Sequence, residues 1–140
     1  MTMPADIVLR METTALLIGA LVAVYWIGTR IVLARAQRGA AGFDRFRLGT
    51  PGVVFFTTPD CMTCKAAQVP ALRALGERLS GKVQLIEVDA LQDAGLAEKW
   101  SVLSVPTTFI LDREGKPRHV NHGFASAEKL FNQIRELGQI

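Results

Sequence analysis

The sequence predicts an α/β protein: a mixed β-sheet flanked by helices and preceded by one N-terminal transmembrane helix. Three observations carry this expectation. After residue 50, short β-branched or aromatic runs alternate with helical patterns in the order β-α-β-α-β-β-α. Near the N-terminus, residues 13–29 (TTALLIGALVAVYWIGT) contain no charge. Apolar residues make up 49% of the chain and mean hydropathy is +0.24, too high for an ordinary soluble domain unless a membrane segment raises the average. With 140 residues and 15.3 kDa there is room for one core and an accessory segment.

The apolar run resumes after Arg30 with IVLA before Arg35. Arginine side chains at its end can snorkel, so a helix over about residues 13–34 reaches the roughly 20 residues that cross a bilayer core of about 30 Å. Tyr25 and Trp26 suit the headgroup interface. A buried core helix would need polar positions at 3.6 spacing, and residues 16–27 are apolar on every face. A cleaved signal peptide finds support in Ala34-Arg35-Ala36, but the apolar run is too long and the preceding region nearly neutral. Arg10 is the only basic residue before the span, whereas Arg30, Arg35, Arg38, Arg45 and Arg47 lie at or after its end. By the positive-inside rule the C-terminal domain faces the cytoplasm, with the extracytoplasmic face as the alternative. The expected organisation is therefore a membrane segment over 1–36, a flexible linker over 37–42 (QRGAAG) and a folded domain over 43–140.

Within that domain residues 43–48 read as a possible edge strand, and 52–57 (GVVFFT) as a fully buried one. Residues 62–79 are helical, with Val69, Leu72, Leu75 and Leu79 on one face and Pro70 kinking the helix. Residues 82–88 (KVQLIEV) form a strand ending at Asp89, followed by a helix near 93–100. Strands at 107–111 and 118–122 flank Arg113-Glu114-Gly115-Lys116, a turn that closes an antiparallel hairpin. Ser126 caps the last helix, and Glu128 adds favourable charge near its positive end. A right-handed crossover sets the N-terminus of the first long helix at the carboxyl edge of GVVFFT.

Composition excludes several functions. Sixteen Lys+Arg and thirteen Asp+Glu give a net charge of +3, and they alternate in sign without forming a phosphate-tracking stripe, so nucleic acid is not an expected partner. Two cysteines cannot make a disulfide-stapled secreted scaffold; they leave one local dithiol, Cys61 and Cys64. It lies at a helix N-terminus, where unpaired N–H groups and the positive dipole end lower a thiol pKa from about 8.5. Cys61 gains most from this, and Cys64 is within reach to resolve a mixed disulfide.

Phe56-Thr57-Thr58-Pro59-Asp60-Cys61-Met62-Thr63-Cys64-Lys65, then Val88-Asp89, Val105-Pro106-Thr107 and Gly123 resemble the thioredoxin family in order and spacing over residues 52–137. The resemblance implies a thioredoxin-like fold and a redox-active dithiol without a bound cofactor. It also implies a cis peptide bond before Pro106, which faces the dithiol, with the backbone at Val105 pairing with the substrate chain. It puts His122 near the dithiol. The chain departs from the family pattern where Asp60 replaces the usual Trp before the first cysteine, where Phe55 replaces a buried acid and where Leu85 replaces a Lys. Met62-Thr63 stands where thioredoxins proper have Gly-Pro. The charge of Asp60 opposes thiolate formation at Cys61, and proton handling is expected to pass through Asp60, His122 or water.

Cys61, Cys64, His119 and His122 would make a Cys₂His₂ zinc set, but residues three apart on a strand point to opposite faces, so no metal is expected. Asp89 reads as a strand-end cap and Trp100 as packing. The function expected is a membrane-tethered thiol-disulfide oxidoreductase exchanging its dithiol with protein disulfides and a redox partner protein. A redox-silent adaptor of the same fold and a metal carrier are the alternatives.

Overall fold

In the computed structural model, which describes residues 5–40 and 43–140, the first element is a single helix, α1 (Ala5–Ala40). At about 1.5 Å per residue it is longer than a bilayer core is thick. Its most apolar 18-residue window has a mean hydropathy of 2.0, and Leu16, Leu21, Val24 and Trp26 are all exposed. The chain divides into two compact units between Ile31 and Val32. The end of α1 therefore belongs to the second unit, where Ala36 is fully buried. Gln37 to Ala40, where composition suggested a flexible linker, are the helix's last turn; the rest of that linker, 41 and 42, lies outside the described residues.

The expected order of elements is present: β1 (Gly52–Thr57), a π turn (Cys64–Gln68), α2 (Val69–Leu79), β2 (Gln84–Asp89), α3 (Ala94–Lys99), β3 (Thr107–Leu111), β4 (Pro117–His122) and α4 (Ala127–Glu136). The strands form one mixed sheet ordered β2-β1-β3-β4. β1 runs parallel to β2 and antiparallel to β3, and β4 closes an antiparallel hairpin on β3. All six residues of β1 are buried, which fits its central place and its run of GVVFFT without alternation.

Side chains alternate across β1 and fill two cores. Val53 and Phe55 join Ile110 beneath α2 and α4, with Leu72, Leu75, Leu130 and Ile134. Val54 and Phe56 face the other way, to Phe109, Val88, Trp100 and Ala36. Trp100 is fully buried and meets Phe109 edge-on with ring centroids 5.0 Å apart, so it serves packing as expected. Such a pair adds about 0.5–1.5 kcal/mol beyond area burial.

The expected edge strand over 43–48 is absent. Phe43 N–H bonds Ala40 O at 3.1 Å and Phe46 N–H bonds Phe43 O at 3.2 Å, a turn geometry. Both rings pack onto the second core, and the backbone of Arg47 is paired with the Gln84 carboxamide instead of with a strand. Apolar spacing at Phe43 and Phe46 reflects this packing, not a pleat. Ser126 caps α4, its Oγ accepting the Lys129 N–H at 3.2 Å. Asp89 caps the end of β2, accepting Leu91 N–H at 2.8 Å.

Candidate active site

Thr57 ends β1, and the chain turns through Thr58-Pro59-Asp60, with Cys61 N–H bonded to Thr58 O at 3.1 Å. The helix begins at once: Lys65 N–H reaches Cys61 O at 3.2 Å. Pro70 lacks an N–H and its ring crowds the preceding carbonyls, which an α-turn tolerates poorly. The strain is absorbed by a π turn in which Val69 N–H bonds Cys64 O, so the kink expected at Pro70 takes the form of one wide turn before it.

Cys61 and Cys64 are joined as a disulfide, with Cα atoms 5.2 Å apart. The two sulfurs have different surroundings. Cys61 is half-buried and its Sγ accepts the Cys64 N–H at 3.2 Å, one of the unpaired donors of the helix start. Cys64 is fully buried in the core beneath α2 and α4, together with Phe55, which is 2% exposed. Phe55 thus puts an apolar ring, not an acid, in the core that holds Cys64.

Val105 packs against both cores, and one of them also receives Cys61. The Val105-Pro106 bond is cis, and Pro106 O accepts Gly123 N–H at 2.8 Å. The Thr107 hydroxyl donates to Ser104 O at 2.7 Å and braces this loop from the other side. His122 is exposed at the end of β4, in register with Thr107, immediately before Gly123. Asp60 is exposed beside Cys61 in the chain. His119, in register with Ile110, lies on the α4 face with its Nε2 3.7 Å from Glu136, so the two histidines do occupy opposite faces. Among the described residues, no group of three or more His, Cys, Asp or Glu side chains is placed to hold a metal ion.

Sequence reasoning missed Gln68. It sits four residues before Leu72 and seven before Leu75, on the buried helix face, and it is fully buried. A carboxamide at an apolar register position was the available signal.

The family model Thioredoxin matches residues 43–136. The chain belongs to the thioredoxin family. It is 30% identical to thioredoxin Y, chloroplastic, of Oryza sativa subsp. japonica, over 98% of this chain and 88% of that protein. It is 31% identical to the thioredoxin of Bacillus subtilis, over 61% of this chain and 82% of that one. The X-ray structure of Fasciola hepatica thioredoxin superposes with a TM-score of 0.55 at 29% identity, covering 64% of this chain and 82% of that one. With its Cys61-Cys64 disulfide, this member of the family is a thiol-disulfide oxidoreductase.

Proposed function

We propose that this protein is tethered to a membrane by α1 and passes electrons between its Cys61-Cys64 dithiol and protein disulfides. The observation that carries the assignment of roles is the asymmetry of the sulfurs: Cys61 is half-buried with a helix-start N–H on its Sγ, and Cys64 is fully buried. The donor stabilises negative charge on Cys61 and burial disfavours it on Cys64, so Cys61 is the nucleophile.

In the reductive direction the Cys61 thiolate attacks one sulfur of the substrate disulfide. A Cys61-substrate disulfide forms and the substrate's other sulfur leaves as a thiolate. Cys64 then loses its proton, which the departing thiolate takes up, and attacks the Cys61 sulfur. The second substrate thiolate leaves and the Cys61-Cys64 disulfide remains, two electrons having passed to the substrate. A dithiol partner protein returns the chain to the reduced form by the same steps in reverse. Phe55 offers no acid beneath Cys64, so that proton moves on the solvent side, where Asp60 and His122 tune the site. Val105 and Pro106 receive the substrate backbone beside the disulfide.

Tethering is supported by the uncharged length of α1 and its exposed apolar side chains. The arginines after the span favour the cytoplasmic face for the domain. Trapping tests the chemistry: Cys64→Ser should accumulate mixed disulfides with partner proteins, resolved by reduction, whereas Cys61→Ser should trap few and lose turnover of a model disulfide. Equal trapping by both variants would remove the assignment of roles, and trapping by neither would leave an adaptor.

A further inference from the structure

Gln68 ends the π turn that opens with Cys64, and it spends both ends of its carboxamide on one residue. Its Nε2 donates to Ala125 O at 3.0 Å, and its Oε1 accepts the Ala125 N–H at 2.9 Å. A buried carboxamide is costly unless bonded, and so is a buried peptide group; this pair satisfies both together. Ala125, 1% exposed, lies in the core that holds Cys64 and against which Cys61 and Val105 pack. Two residues earlier, Gly123 N–H holds Pro106 O at 2.8 Å. These bonds join three segments around the disulfide: the turn carrying Cys64, the connection between β4 and α4, and the loop at Pro106.

Phe124 lies between the two anchored residues of the middle segment. Phe124 is 50% exposed although both its chain neighbours are hydrogen-bonded to other segments. An aromatic side chain on an anchored backbone can bury a large apolar area against a partner with little ordering cost.

We propose that Gln68 is a positioning residue for polypeptide substrates: by holding the backbone of Ala125 it sets Phe124 as a fixed apolar contact for a side chain flanking the substrate disulfide. The inference rests on the exchange reaction assigned above and goes beyond it, because it separates protein disulfides from small ones. A disulfide without a flanking chain needs Cys61 and Cys64 but has nothing to lay on Phe124. Gln68→Met keeps the length of the side chain and its burial while leaving the Ala125 N–H and C=O unpaired, which loosens the segment.

The test uses the full chain in detergent micelles with dithiothreitol as reductant, measuring kcat/KM for insulin disulfides and for hydroxyethyl disulfide. In Gln68→Met the ratio of the two values should fall about tenfold, through a higher KM for insulin. Phe124→Ala should raise the KM for insulin similarly, and the double variant should be no worse than the weaker single one, because both remove one contact. A ratio unchanged in Gln68→Met would overturn the proposal. So would full additivity in the double variant. If Gln68→Met does not fold, Phe124→Ala decides alone: it is an exposed position, and an unaltered KM for insulin there removes the contact. Failure of the unaltered protein to reduce either probe would instead defeat the exchange reaction itself.

Discussion

Asp112, buried at the end of β3, uses both carboxylate oxygens within one hairpin. Oδ1 accepts Glu114 N–H at 3.1 Å and Lys116 N–H at 2.8 Å, and Oδ2 accepts Arg118 Nε–H at 2.6 Å. Burial by itself raises its pKa, but the Lys116 amide, the Arg118 guanidinium and the Glu114 amide together outweigh it and hold the carboxyl below 3.8. A folded pKa below the unfolded one gives stability that is present above the unfolded value and lost as pH falls through the folded value. His119 acts with the same sign in a higher window: burial lowers its pKa below 6.5, partly offset by the nearby Glu136 carboxylate, so protonation there also favours unfolding. Denaturant titrations across pH should therefore show stability falling in two windows, one below about pH 6.5 and one below about pH 4. Asp112→Asn should cost about 1–3 kcal/mol at neutral pH and remove the lower window. An unchanged lower window in that variant would place the acid response elsewhere. Residues of this kind differ in how far sequence reveals them. Cys61 and Cys64 were legible because their spacing and their place after a strand define the chemistry locally. Gln68 was not, because its meaning comes from a backbone 57 positions away.

Among the elements, alternation and period located four strands and three of the helices after residue 50, because each buries a face whose spacing is written in its own residues. Two features were hidden for identifiable reasons. Residues 43–48 have the apolar spacing of a strand, but the Gln84 side chain takes the backbone hydrogen bonds at Arg47 that a neighbouring strand would use. The π turn is invisible to periodicity, and only Pro70 hinted at it. The last turn of α1 packs closely on the end of α3: a Cβ built on Gly39 would stand 3.0 Å from both Lys99 O and Trp100 Cδ1. At Gly95 in α3 a Cβ would meet nothing within 4 Å. An open helical glycine should gain up to about 1 kcal/mol on substitution by alanine. Gly95→Ala should accordingly raise the melting temperature, while Gly39→Ala should show no gain and Gly39→Val a clear loss. A gain at Gly39 equal to that at Gly95 would mean that α1 does not pack on α3 in this way.

For the whole molecule, one long apolar helix precedes one redox domain in the chain, and under the proposed tether the biological role turns on which side of the membrane the domain works. After reduction of the dithiol, a membrane-impermeant thiol reagent should fail to label Cys61 in intact cells and should label it once the membrane is opened, if the arginines after the span set the orientation. Labelling of sealed cells would place the domain on the extracytoplasmic face and assign it to disulfide handling there. The exchange chemistry is common to both orientations and rests on the reactivity of Cys61. Its most direct test is the alkylation rate of the reduced protein as a function of pH, with the modified cysteine identified by mass. Alkylation should fall on Cys61, with an inflection below about pH 8.5 that moves lower still in Asp60→Asn, and Cys64 should remain unmodified in the folded chain. Alkylation of both cysteines alike, with no inflection below that of a free thiol, would contradict the account.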